Sequence, residues 1–144
     1  MGRAPRLVLR SPFLFSRKGP FTHSYIGMNL KVDERYNAVV ITLKGNVMGG
    51  PDGSALHETL HELKEQDKKN VVADLGGVKF MNSSGLGMLI SGLTTMRNAG
   101  GDLRLANVAE KIQSLLIITK LITVFKHYDS VDEAVASYDS EPVG

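Results

Sequence analysis

The stretch Asp74-Leu-Gly-Gly-Val-Lys-Phe-Met-Asn-Ser-Ser-Gly-Leu-Gly-Met-Leu89 decides how this chain is read. The apolar run 71–75 that leads into it has the length and Val content of a buried strand. Gly76-Gly77 breaks the run, and residues 76–82 are expected to form a loop. Asn82-Ser83-Ser84-Gly85 then opens a helix expected from about residue 84 to 99, closed by Gly100-Gly101. A helix start carries unpaired backbone N–H groups and the positive end of the macrodipole, so a phosphate is electrostatically favoured there. Leu86, Leu89, Ile90 and Leu93 make the buried stripe, while Ser84, Met88, Ser91 and Thr95 make a second, uncharged face. Gly85, Gly87 and Gly92 each cost about 1 kcal/mol against Ala inside a helix, which points to close approach by a neighbour. A plainer reading of the same residues also stands: Ser83 or Ser84 as an N-cap, with the glycines packed on a sheet.

Working outward, the chain becomes regular from Met28. Leu30 and Val32 suggest a short strand, 34–37 a turn, and Val39, Ile41 and Leu43 a half-buried strand alternating with Val40, Thr42 and Lys44. Residues 45–53 read as a loop, with Asp52 or Ser54 capping a helix that reaches about residue 67 on the stripe Leu56, Leu60, Leu63. Beyond the central helix come a strand marked by Leu103 and Leu105, a helix over about 108–116 and a short strand over 123–125. A last helix is capped by Ser130, with Glu133 at capping-box spacing. Strands alternating with helices after an initial hairpin imply an α/β fold with a mixed sheet, the run 71–75 at its centre and about four helices mainly on one face.

Composition narrows the function. The 144 residues suit one domain with a single core. There is no Cys, so disulfides, Cys-ligated zinc, iron–sulfur clusters and cysteine nucleophiles are excluded. The formal charge of +2 averages two unlike pieces. Residues 1–27 hold Arg3, Arg6, Arg10, Arg17 and Lys18 with no Asp or Glu, which leaves 12 Lys and Arg against 15 Asp and Glu in the remainder. The body therefore offers no electrostatic case for nucleic acid. The apolar stretch 112–125 is interrupted by Gln113, Ser114 and Lys120 and falls short of the about 20 residues a membrane span needs. Residues 1–27, with Pro5, Pro12 and Pro20, read as a basic irregular arm whose removal should leave stability nearly unchanged. A mis-assigned start at Met28, a flexible tail, a transit-like segment and a partner-binding arm all stay open for it. Residues 139–144 read as a C-terminal tail.

Three enzymatic readings lack a necessary part. His57-Glu58-Thr59-Leu60-His61 matches H-E-x-x-H, where two His share a helix face and a Glu activates water. Lys64 stands where a third ligand would follow, so no catalytic metal is expected, only capture of an ion by two surface histidines. Ser83 and Ser84 do not lie in G-x-S-x-G, and His127 reads as a surface residue. No G-x-x-x-x-G-K-[ST] or G-x-G-x-x-G string supplies a phosphate loop, so no cofactor is implied.

The stretch around Asn82-Ser83-Ser84-Gly85-Leu86-Gly87 resembles the STAS family, the sulfate-transporter and anti-sigma-factor-antagonist domain, over about residues 28–138, including Ser130-Val-Asp-Glu-Ala-Val. Bacterial members typically carry D-S-S-G-L-G at this helix start. Here the Asp is Asn82, and Gly45-Asn46-Val47-Met48 replaces the frequent Gly-Glu-Leu-Asp, so two acidic positions are neutral. The resemblance implies a non-enzymatic cytoplasmic regulator that works by partner switching. Its expected partners are an anti-sigma factor that is also a serine kinase, and a metal-dependent Ser/Thr phosphatase. Ser84 is the implied phosphorylation site, with Ser83 turned inward or capping. Asn82, Ser83, Gly85, Gly87, Met88, Ser91 and Thr95 are the implied partner-binding residues. The alternative is a STAS scaffold or regulatory module outside sigma control, in a signalling assembly or a lipid-transport complex.

Overall fold

The structure, a computed structural model, describes residues 21–24 and 28–140. Ten elements follow in order: β1 (Phe21–Ser24), β2 (Met28–Glu34), β3 (Val39–Val47), α1 (Pro51–Glu65), β4 (Asn70–Met81), α2 (Ser83–Asn98), β5 (Asp102–Ala106), α3 (Glu110–Ile118), β6 (His127–Tyr128) and α4 (Val131–Ser140). The six strands form one mixed sheet in sequence order, β1-β2-β3-β4-β5-β6. The first two pairings are antiparallel and the other three parallel.

That order decides where the helices go. From β3 to β6 each new strand adds on the same side, and right-handed crossovers then put every connecting helix on one face. The main core accordingly joins Leu56, Leu60 and Leu63 of α1, Leu86, Leu89 and Leu93 of α2, and Ile112 and Leu116 of α3 to one side of the sheet. Among the described helices only α4, which follows the last strand, crosses to the other face, where Ala134 packs on Val40, Val72 and Ala106. The expected arrangement, α/β with a mixed sheet and helices mainly on one face, is the one observed. Val71, Val72, Ala73 and Leu75 are all buried, as a strand covered on both faces requires.

A buried polar cluster fixes α4. Arg104 is 3% exposed and Asp102 8%. The Arg104 Nε donates to Asp102 Oδ2 at 3.0 Å and its Nη1 to Ser137 Oγ at 2.7 Å, while the guanidinium lies 4.0 Å from the Tyr138 ring centroid. Tyr138 Oη donates towards the carbonyls of Val71 (2.7 Å) and Asp102 (3.0 Å) and accepts from the Val71 N–H (3.2 Å). Burial, reinforced by Asp102, pushes the Tyr138 phenol well above its ordinary value, with Arg104 opposing. At the start of α4, Ser130 Oγ accepts from Glu133 N at 3.1 Å, the cap expected from the sequence.

Several boundaries differ from the sequence reading, each for a physical reason. Phe21–Ser24, expected to be part of an irregular arm, is a strand paired with β2, Phe21 opposite Val32 and Ser24 opposite Asn29. The expected loop 76–82 is the second half of β4, which runs on through Gly76-Gly77 and reaches Met81 opposite Val47. Two register shifts against β3 absorb the irregularity, and a Cβ on Gly77 would stand 2.7 Å from Lys44 Cγ. The glycines thus admit a close neighbour within a strand and do not end it. Neither Asp52 nor Ser54 caps α1. Gly50, at φ 62°, is the cap residue and Pro51 opens the helix, where a missing N–H costs nothing. The strand expected at 123–125 lies at His127–Tyr128, because Phe125 turns into the core and the Arg97 guanidinium donates to the Val124 carbonyl at 3.0 Å.

Candidate functional site

β4 and α2 meet at Asn82, and the local geometry follows from three small residues. Asn82 is the N-cap of α2: its Oδ1 accepts from the Gly85 N–H at 2.8 Å, and its carbonyl accepts from Leu86 N at 2.9 Å. Asn ranks with Asp and Ser as a cap because its short side chain reaches back to the first free N–H groups. Gly85 lies against the end of β3. A Cβ there would stand 2.0 Å from the Val47 carbonyl oxygen, so only glycine lets the helix start this close to the sheet. Gly49, at φ 87°, passes over the same turn, and a Cβ on it would stand 2.9 Å from Ser84 Cβ. The loop after β3 therefore walls the helix start on one side.

Ser83 and Ser84 are both exposed, and neither hydroxyl makes a hydrogen bond to another described residue. The first turn of α2 contains no acidic residue. With Asn82 and Asn46 where carboxylates would add negative charge, the positive end of the helix dipole is uncompensated by side chains on α2 itself. A phosphate on Ser84, carrying about −1.5 to −2 charges at pH 7, would meet a favourable field.

The expected partner-binding residues separate into two groups. Asn82, Ser83, Ser84, Gly85 and Gly87 surround the helix start. Met88 and Ser91 instead line a cavity of about 210 Å³ between α1 and α2, with Gly53, His57, Leu60 and Gly92. Met88 is only 9% exposed, so it belongs to the wall of that cavity and not to an open face. Thr95 is half-buried, its Oγ1 donating to the Ser91 carbonyl at 3.0 Å. The exposed positions of α2 up to Thr94 are Ser83, Ser84, Gly87, Ser91 and Thr94. Ser83 neither turns inward nor caps, because Asn82 already fills the cap. Of the three glycines, Gly85 and Gly92 admit close neighbours, the latter Leu60, whereas Gly87 faces open space.

Sequence reasoning missed Gly49, Met48 and Phe80. Met48 is 43% exposed and Phe80 48%, both at the end of the sheet where α2 begins. The signal for Gly49 was its place in Gly49-Gly50-Pro51, read only as a breaker. His57 and His61 share a face of α1, but among the described residues no group of three His, Cys, Asp or Glu could hold a metal. No helix among them is long and apolar enough to cross a membrane.

Comparison with known proteins agrees with this geometry. The profile of the STAS domain matches residues 29–134. The chain is similar to the anti-sigma-B factor antagonist of Bacillus subtilis (strain 168), 33% identical over 97 residues that cover 65% of this chain and 86% of that protein. Its fold is shared by an anti-sigma factor antagonist from Mycobacterium paratuberculosis, with TM-score 0.69, 18% identity, and 81% and 98% of the two chains covered. It is shared also by the Bacillus cell fate determinant SpoIIAA in its phosphorylated form, with TM-score 0.60, 16% identity, and 76% and 98% covered. With the family profile covering most of the chain and the strand–cap–helix junction formed around Asn82, the protein belongs to the STAS domain family.

Proposed function

We propose that the protein is an anti-sigma factor antagonist that works by partner switching at Ser84. The observation that carries this is the exposed Ser84 hydroxyl, without a hydrogen-bond partner among the described residues, in the first turn of a helix whose start bears no side-chain carboxylate. The relatives add support, since the Bacillus subtilis protein is named an anti-sigma-B factor antagonist. Unmodified, the helix start with exposed Met48 and Phe80 nearby is a small neutral surface that an anti-sigma factor with serine kinase activity can cover. Transfer of a phosphoryl group to Ser84 Oγ introduces charge and bulk that must be desolvated for the partner to dock. The partner then leaves, and a metal-dependent Ser/Thr phosphatase restores the docking form. The fold itself tolerates the charge, because an anion at a helix N-terminus is stabilising by about 0.3–1 kcal/mol.

The test is incubation with the cognate kinase and ATP, followed by site-resolved mass spectrometry and pull-downs with two variants. Phosphate is expected on Ser84. Ser84→Ala should retain the anti-sigma partner, and Ser84→Asp should hold it less tightly while keeping the wild-type circular dichroism spectrum. Phosphate confined to Ser83, or equal partner retention by the two variants, would overturn the assignment.

A further inference from the structure

His57 and His61 stand one turn apart on α1, with ring centroids 4.5 Å apart and planes inclined at 55°. His57 is exposed and His61 half-buried. Neither imidazole makes a hydrogen bond or ion pair with another described residue, so no such contact holds either ring away from an ion. His57 also lines the cavity that Met88 and Ser91 share, so one ring of the pair stands at the border of the groove between α1 and α2.

The ring separation puts both imidazoles within reach of one ion. An ion bonded at about 2.0–2.1 Å to one nitrogen of each ring, with the two bonds at a right angle, places the centroids about 4.5 Å apart. A tetrahedral angle requires about 5.2 Å. Rotation of either side chain reaches both angles from the observed spacing, so the ranking of metals comes from the Irving–Williams order, which places Cu(II) above both Ni(II) and Zn(II) on imidazole ligands. Two imidazoles leave the other positions of such an ion to water, which makes the site exchangeable and distinct from a resident catalytic centre.

We propose that His57 and His61 form a bidentate surface site for a late first-row divalent ion, with Cu(II) bound most tightly. An ion there joins two successive turns of α1 and stabilises the helix that walls the groove. Binding to the folded form alone raises the thermal midpoint with ion concentration. The two rings act as linked ligands, so losing either one forfeits the gain from bivalency, about a hundredfold in affinity.

The experiment titrates the full-length protein with Cu(II), Ni(II), Zn(II) and Mg(II) by calorimetry, with electron paramagnetic resonance on the Cu(II) form. The proteins are wild type, His57→Gln, His61→Gln, the double His57→Gln/His61→Gln, and a control His23→Gln/His127→Gln. Both α1 positions reach solvent, and circular dichroism verifies that each variant is folded. The expected result is one Cu(II) per chain, weaker Ni(II), weaker still Zn(II) and no Mg(II). Nitrogen hyperfine splitting from two imidazoles should be seen in wild type and the control, and lost from the double variant. Cu(II) bound as tightly by the double variant, or Zn(II) bound more tightly than Cu(II) by wild type, would overturn the proposal.

Discussion

Two glycines in the same turn of α2 should respond to alanine with opposite signs. A Cβ on Gly85 would stand 2.0 Å from the Val47 carbonyl oxygen, and because the oxygen is backbone and the Cβ position is fixed by backbone, neither can rotate away. Gly85→Ala must push α2 off β3, with an expected loss of about 3 kcal/mol, the upper end for overpacking. Gly87 has nothing within 4 Å of the same position, so Gly87→Ala keeps every contact and gains helix propensity, about 0.5–1 kcal/mol. Denaturant midpoints of the two variants against wild type check both signs. The motif string alone does not separate these residues, since each is simply a glycine near a helix start. What separates them is the direction each Cα presents once the cap at Asn82 fixes the first turn.

At the level of elements, β1 changes the standing of the N-terminal segment. Phe21–Ser24 pairs with four residues of β2, so removal of residues 1–27 leaves β2 as the bare edge of the sheet. Cross-strand pairs contribute about 0.2–1 kcal/mol each. The truncated protein is therefore expected to melt several degrees lower and to aggregate sooner on heating, read by differential scanning calorimetry and light scattering. A midpoint unchanged within one degree would return the segment to the role of a dispensable arm. Four residues directly after Pro20, inside an acid-free segment, are too few to display period 2, which is why the sequence did not reveal this strand. The central elements were legible for the converse reason. Val71, Val72 and Ala73 form a continuous apolar run that resumes at Leu75 after Asp74, and Leu56, Leu60 and Leu63 repeat at helical spacing. The second half of β4 escaped because Gly76-Gly77 looks like a turn unless the partner strand, with Lys44 lying against Gly77, is already known. For the site, Ser84 was readable from the local string, but Met88's burial depends on the approach of α1, which no local pattern contains.

Across the whole molecule, α4 is tied to the sheet by Tyr138 and the Asp102–Arg104 pair, and this tie has a pH signature. The folded state holds the Tyr138 phenol protonated beyond its ordinary range, chiefly through burial. The associated stability is complete below the unfolded value, about 10. It declines as pH climbs above that value towards the raised folded one, because the unfolded chain releases the proton first. Urea midpoints of wild type should therefore fall more steeply between pH 9.5 and pH 11 than those of Tyr138→Phe, with the variant less stable near pH 7 through loss of its bonds to Val71 and Asp102. Parallel pH profiles for the two proteins would show that the phenol does not participate.

The register of β1 also sets the polarity of the molecule. Phe21 sits opposite Val32, which in turn faces Ile41, so the chain enters the sheet six residues short of Val47, about 20 Å from the strand end beside Ser84. A tag joined directly before Phe21 would anchor the protein to a biosensor surface at the far pole and leave the serine pole towards the flowing analyte. Immobilisation through the amino end is thus the orientation of choice for measuring partner exchange in real time.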